Sequence, residues 1–313
     1  MRCVVLDDYQ GVALANADWS GLDVTALREH LDDPADALAE AECVVIMRER
    51  TPFTAELFAR LPKLRLLVTS GMRNASIDLR AAREHGVTVC GTGSAKTPPT
   101  ELTWALILGL ARHLAVENAA FHAGGPWQST VGADLAGRTL GLVGFGHLGK
   151  AVGRIGKAFG MDVVAWSRHL TAERTEPEGV RLAAGLHDLL GQADFASVHL
   201  VLSDRTRGLL DAAALACLKP TAFLVNTSRA AIVDRDALLE VLRHNRIAGA
   251  GLDVFETEPL PLDDELRTLP NVLATPHLGY VTESNYRTYF EEAVEDIHAF
   301  LRGTPVRELT HPQ

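Results

Sequence analysis

Short apolar runs, rich in β-branched residues, recur along the chain. Each is followed by a turn and then by a stretch of helical periodicity. Runs at 3–6 (CVVL), 43–46 (CVVI), 64–68 (LRLLV) and 87–90 (VTVC) form a first set. Runs at 139–143, 162–166, 194–200, 222–226, 248–252 and 271–274 form a second. They are nearly continuous rather than alternating, as strands covered on both faces of a parallel sheet must be. Helical patterns fill the gaps, notably 54–60, 77–85 (closed by Gly86), 147–159, 211–218 and 235–244. This rhythm predicts a doubly wound α/β architecture. It breaks at GTGSAKTPPTE (91–101) and at AGGPWQSTVG (123–132), with one long helix predicted between them over about 101–121. A last helix over about 283–301 closes the chain. With 313 residues, and about 150 per domain, two domains are expected.

Charge narrows the partners. Thirty Lys+Arg against forty Asp+Glu give a net charge of −10, with no basic block. Nucleic acid and anionic membrane are therefore not expected as partners. A charged fraction of 22% beside 47% hydrophobic residues excludes a disordered polyelectrolyte. Cys3, Cys43, Cys90 and Cys217 are widely spaced and form no CxxC pair, so reduced thiols in a cytoplasmic protein are expected and no metal site. The start, MRCVVLDDYQG, lacks the long apolar segment of a signal peptide.

The sharpest local motif is Gly144-Phe145-Gly146-His147-Leu148-Gly149, a G-x-G-x-x-G between a predicted strand and a predicted helix. Gly144 suits the tight turn, Gly146 lets a pyrophosphate approach the backbone, and Gly149 lets helix and strand pack closely. The free N–H groups at His147 and Leu148 and the helix dipole favour an anion. After the next strand, NAD-binding chains usually place Asp or Glu against the ribose 2′-hydroxyl. Here Ser167 and Arg168 stand there. Serine can donate to a 2′-phosphate and arginine adds charge and a planar fork, so NADP(H) is favoured over NAD(H).

Three later runs end in polar clusters: FLVNTSR up to Arg229, GLDVFETEP with Glu258, and ATPHLG with His277. Ligands of open α/β sheets sit at the carboxyl ends of strands. Reducing a ketone requires a proton for the oxygen, which histidine can deliver. A nearby carboxylate stabilises the imidazolium and fixes the ring. Arginine can clamp a substrate carboxylate bidentately.

The chain resembles the D-isomer-specific 2-hydroxyacid dehydrogenases, glyoxylate and hydroxypyruvate reductases among them, over nearly its whole length. The resemblance rests on four blocks in order: LGLVGFGHLGKAVGRIGKAFGMDVVAWSR, LKPTAFLVNTSRAAIVDRDALLEVL, AGAGLDVFETEPL and LATPHLGYVT. It implies that Arg229 binds the substrate carboxylate and carbonyl, that His277 is the general acid/base and that Glu258 is its partner. It also implies cofactor contacts at Thr227, Asp253 and Gly279. Related formate dehydrogenases carry Gln at the place of Glu258.

The family further implies a Rossmann dinucleotide-binding domain over 99–282, beside a discontinuous flavodoxin-like substrate domain made of 1–98 and 283–313. A homodimer formed partly by the 101–121 helix is implied as well, as is domain closure over the substrate. The loop containing Gly71, Met72 and Arg73 corresponds to one that offers backbone N–H groups to the substrate carboxylate. Two departures stand out. This loop reads SGMRNASID where many relatives have a G-x-G-x-D-N-like run, so Arg73 adds either a site charge or a surface charge. Val201 stands where relatives often have proline. Trp104 and Trp127 are expected to be packing residues.

The expected activity is thus hydride transfer between NADP(H) or NAD(H) and a small 2-keto/D-2-hydroxy acid. Two other readings stay open on the same fold: a nucleotide-sensing corepressor, and a dehydrogenase of a small inorganic anion.

Overall fold

A computed structural model describes residues 1–310. The chain divides into two compact units, Met1–Ala95 with the chain from Val281 onward, and Lys96–Tyr280.

The N-terminal part of the first unit carries strands β1 (Arg2–Val5), β2 (Asp23–Ala26), β3 (Cys43–Ile46), β4 (Leu66–Thr69) and β5 (Thr88–Gly91). The short helices α1 (Ala35–Leu38), α2 (Ala55–Ala59) and α3 (Leu79–Glu84) lie between them. Thr54 and Asp78 start α2 and α3 by accepting from backbone N–H groups of the first turn. All five strands are parallel in the order β2-β1-β3-β4-β5, the flavodoxin-like winding. β3 and β4 are buried along their whole length, which explains why they read as unbroken apolar runs. β2 alternates exposed and half-buried residues at the sheet edge. It carries no apolar run, and the sequence pattern misses it.

The second unit opens with α4 (Pro98–Ala111) and α5 (Leu114–His122). The single helix expected over 101–121 is therefore two. His113 takes a left-handed conformation, φ 50°, and breaks it. Then follow β6 (Thr139–Val143), α6 (His147–Ala158), β7 (Asp162–Trp166), α7 (Ala172–Thr175), β8 (Arg181–Leu182), α8 (Leu186–Gln192) and β9 (Phe195–Val198). The series ends with α9 (Ala212–Leu215), β10 (Phe223–Asn226), α10 (Arg235–Arg243), β11 (Gly249–Leu252) and β12 (Val272–Ala274). All seven strands are parallel, in the order β12-β11-β10-β9-β6-β7-β8. The winding reverses between β6 and β9, the point at which such sheets bind dinucleotides. β8 is two exposed residues long, too short to leave a sequence signal.

The chain then returns to the first unit as α11 (Glu283–Leu301), capped by Thr282. Its buried face carries Tyr286, Tyr289, Phe290, Ala293 and Ile297. Residues Gly93–Ala95 are bonded to that face. Gly93 N donates to Glu292 Oε2 at 2.6 Å, Ser94 Oγ lies 2.9 Å from Tyr289 Oη, and Ala95 N donates to Asn285 Oδ1 at 2.8 Å. Among the described residues no helix is long and apolar enough to cross a membrane.

Candidate active site

In the second unit the parallel register carries the chain past the strand ends at one edge of the sheet. Backbone bonds His199 N to Val143 O, Asp253 N to Asn226 O and Thr275 N to Leu252 O continue the ladder one step beyond β9, β11 and β12. The chemistry-bearing residues follow directly.

The glycine motif lies at the end of β6. Gly144 has φ +107°, a conformation that favours glycine, and a Cβ there would strike the backbone of His199. A Cβ on Gly149 would strike Gly144 O. A Cβ on Gly146 would meet nothing within 4 Å. Two glycines are thus required by the packing of the turn, while the third leaves open space before the N-terminus of α6. That space, faced by the first-turn N–H groups of His147 and Leu148, suits a pyrophosphate. The residues therefore fit a dinucleotide. Ser167, half-buried, and Arg168, exposed, follow β7; Arg168 forms no ion pair among the described residues. His199, beneath the turn, holds its Nε2 2.9 Å from Ser197 Oγ, and burial pushes its pKa down to about 4. Val201 is 77% exposed.

Glu258 and His277 meet. Glu258 Oε2 accepts from His277 Nδ1 at 2.6 Å, while its Oε1 accepts from Phe255 N at 2.8 Å. With Nδ1 directed at the carboxylate, Nε2 is the nitrogen left for chemistry. The ring also stands edge-on to Tyr280, centroids 5.3 Å apart. His277 has φ +53°, so the segment holding it needs support. Asp253 supplies that support. It is fully buried, and its carboxylate accepts from Thr275 Oγ1 (2.6 Å), Leu278 N (2.7 Å) and Gly279 N (2.9 Å). Burial pushes its carboxyl up, and these bonds and the nearby His277 charge offset only part of that. All three bonds are internal, so Asp253 orders the strand-to-histidine turn.

Arg229 stands past the end of β10, the neighbour of β11. Asn226 Nδ2 donates to Arg229 O at 3.0 Å and Asn226 Oδ1 accepts from Ser228 N at 3.0 Å. Ser228 Oγ donates to Val198 O at 2.7 Å, tying the turn to β9, and Arg229 Nη1 donates to Ser228 O at 2.8 Å. Thr227 Oγ1 lies 2.8 Å from Thr103 Oγ1 on α4. The sequence pattern alone gives no role to Asn226, Ser228, Thr275 or Thr103. The first three were visible only as polar residues closing apolar runs.

The remaining sequence candidates belong to the first unit. Gly71, at φ +89°, follows β4 and donates to Thr92 Oγ1 at 3.0 Å. Met72 and Arg73 are exposed in the same turn. Trp104 is buried, its ring 5.0 Å from that of Phe159, whereas Trp127 is 82% exposed and is no packing residue within this chain. The four cysteines are free, and no group of metal-ligating residues forms among the described residues.

Comparison with known proteins matches residues 104–279 to the D-isomer specific 2-hydroxyacid dehydrogenase, NAD binding domain family. The chain is 35% identical to the D-3-phosphoglycerate dehydrogenase of Bacillus subtilis, over 90% of this chain and 54% of that protein; it spans about half the length of that relative. It is 34% identical to the hydroxypyruvate reductase of Thermotoga maritima, over 88% of this chain and 90% of that one. The solved structure of a phosphoglycerate oxidoreductase from Vibrio cholerae is similar at a TM-score of 0.93 and 36% identity, covering 97% of this chain and 99% of its own.

Proposed function

The chain belongs to the D-isomer specific 2-hydroxyacid dehydrogenases, and on that premise we propose that it reduces a small 2-keto acid to the D-2-hydroxy acid, reversibly, with NADP(H) preferred over NAD(H). The observation that carries this reading is the 2.6 Å bond from His277 Nδ1 to Glu258, which leaves Nε2 to exchange a proton with the substrate oxygen. A bound nicotinamide dinucleotide supplies the hydride. Glu258 balances the charge that forms on the ring, and its second oxygen, held by Phe255 N, keeps the carboxylate from turning away. Arg229, whose backbone Asn226 anchors, offers its guanidinium to the substrate carboxylate and carbonyl. In the first unit, Gly71, Met72 and Arg73 make the substrate-binding loop; Gly71 N is bonded to Thr92 Oγ1, so the N–H donors it offers are those of Met72 and Arg73. Asp253 acts by ordering Thr275–Gly279, and so by aiming His277 and presenting Gly279 to the cofactor. Gly144, Gly146, His147, Leu148 and Gly149 hold the pyrophosphate, with Thr227 alongside.

The cofactor preference rests on Ser167 and the exposed Arg168. An acid at the serine position would repel a 2′-phosphate. Its test is kcat/KM with NADPH and NADH for the wild type and Ser167→Asp. The wild type should favour NADPH and the variant NADH; an NADH preference that Ser167→Asp leaves unchanged would overturn it.

The same reading makes the protein a cytoplasmic homodimer. Helix α5 buries no residue, and Leu114, Val116 and Phe121 stand exposed on it. The Phe121 ring lies 6.3 Å from that of Trp127, extending an apolar face that a second copy would cover.

A further inference from the structure

Hydroxyls line the carboxyl end of the second sheet around β10 and β11, and their contacts fix where each hydrogen goes. A hydroxyl has one hydrogen to donate and two lone pairs to accept with. Ser228 Oγ donates to Val198 O at 2.7 Å, and Thr275 Oγ1 donates to the Asp253 carboxylate at 2.6 Å. Thr103, 1% exposed on α4, lies 2.7 Å from Pro99 O and 2.8 Å from Thr227 Oγ1. A carbonyl only accepts, and two oxygens that turn lone pairs on each other at this distance repel. The Thr103 hydrogen therefore goes to Pro99 O, the bond a helical threonine makes to the carbonyl one turn back. Thr103 Oγ1 is then an acceptor, and Thr227 donates to it. Thr227 has no second hydrogen, so what it offers a ligand is a lone pair.

Thr227 is half-buried, one residue past β10. The sheet order β12-β11-β10-β9-β6 sets β10 between the glycine motif after β6 and the His277 segment after β12. On the dehydrogenase reading, the pyrophosphate lies at the first and the hydride arrives at the second, so a dinucleotide spanning the two runs its nicotinamide nucleoside past Thr227. The neighbours agree with this. Asp253 N donates to Asn226 O at 3.0 Å, and a Cβ on Gly279 would stand 3.9 Å from Pro99 Cα, against the turn of α4 that holds Thr103. A pyrophosphate has no hydrogen to give such an acceptor. The nicotinamide nucleoside has two kinds, on its carboxamide nitrogen and on its ribose hydroxyls.

We propose that Thr227 accepts a hydrogen bond from the nicotinamide nucleoside of the cofactor, from its carboxamide or its ribose, and that Thr103 is the positioning residue that fixes this polarity. Thr103 acts by taking the Thr227 hydrogen and has no contact with the cofactor itself. This rests on the dehydrogenase reading above and adds how one half of the cofactor is held.

The test is calorimetric titration of the full chain, for the wild type, Thr103→Val, Thr103→Ser and Thr227→Val, with NADP+ or NAD+, whichever binds more tightly. Two analogues of that cofactor are run beside it: the 3-acetylpyridine form, whose ring substituent has no N–H, and a form whose nicotinamide ribose lacks its hydroxyls. Thr103→Val keeps the shape and releases the Thr227 hydrogen. It should weaken the parent cofactor about five- to tenfold and at least one analogue much less, and Thr103→Ser should restore the wild-type affinity. The analogue that is spared identifies the donor, the acetylpyridine form the carboxamide and the deoxy form the ribose. Thr227→Val should give the same pattern, and decides the matter if Thr103→Val fails to fold. A purely structural threonine would shift all three ligands equally. If the variants weaken all three alike, or leave the parent unchanged, the assignment of Thr103 and Thr227 falls while the dehydrogenase stands. If the wild type binds neither dinucleotide, both fall.

Discussion

Asp253 shows how the site is assembled residue by residue. Its carboxylate takes three donors from one short turn, one before His277 and two after it, and so fixes the segment Thr275–Gly279 that carries the histidine. Replacing it by asparagine keeps the shape but turns one acceptor into a donor, set against an N–H or a hydroxyl that already donates. Asp253→Asn should therefore cost about 1–3 kcal/mol of stability and lower kcat more than it raises the KM for the cofactor. Thermal unfolding together with steady-state kinetics checks this. An unchanged melting temperature with a raised cofactor KM alone would instead make Asp253 a direct cofactor contact. Arg229 is legible in the sequence because a charged side chain closing a buried run needs a reason to be there, and Glu258 and His277 are legible through the blocks that carry the family resemblance. Asn226 and Thr275 are not, because their work is a hydrogen bond to a turn or strand whose position only the fold reveals. Trp127 misleads for the opposite reason: a large apolar residue implies burial, but not burial within its own chain.

At the scale of elements, α11 and the segment after it carry a tension that no motif announces. Asp296 is fully buried on α11; its Oδ1 accepts from Arg307 Nε at 3.0 Å and its Oδ2 has no hydrogen-bond partner. Arg307 also faces Glu292, at 3.7 Å, and Glu295, at 2.9 Å, so one guanidinium serves three carboxylates. Arg307 O in turn accepts from Gly91 N at 3.0 Å, which ties this segment to β5. Burial pushes the Asp296 carboxyl up to about 7. Folding thus favours its protonated form: that stabilisation is complete below the unfolded value near 4 and is lost as pH rises through about 7. Asparagine does not titrate. Relative to wild type, Asp296→Asn should gain roughly 1–3 kcal/mol between pH 5 and pH 8. Denaturant unfolding at both pH values measures the gap, and a gap that does not change with pH contradicts the assignment. The helices show what periodicity can and cannot give. The pattern over 283–301 predicts α11 to the residue. The pattern over 101–121 hides a break, because histidine at position 113 carries no breaker signal while its left-handed backbone ends α4.

For the whole molecule, the rhythm of apolar runs contains ten of the twelve strands of the described residues, and the two it misses, β2 and β8, are sheet-edge strands with no buried residue. The order of strands, and with it the reversal between β6 and β9 where the glycine motif sits, is a property of the winding that local pattern does not express. The exposed face of α5 with Trp127 belongs to this scale too. Phe121→Glu combined with Trp127→Glu should convert a dimer into a monomer in light scattering after size exclusion, and a dimer that survives both changes would place the contact elsewhere.

In the proposed reaction His277 moves a proton while a nicotinamide hydride moves to a 2-keto acid. The most direct measurement follows NADPH and NADH oxidation with a panel of 2-keto acids, for wild type and His277→Ala, with cofactor binding to both proteins measured by fluorescence titration. The wild type should oxidise the cofactor in step with formation of a D-2-hydroxy acid, and His277→Ala should bind cofactor equally well yet lose about 10²–10⁴-fold in kcat. A wild type that binds the cofactor and reduces no acid, or a variant that turns over as fast as the wild type, would contradict the account.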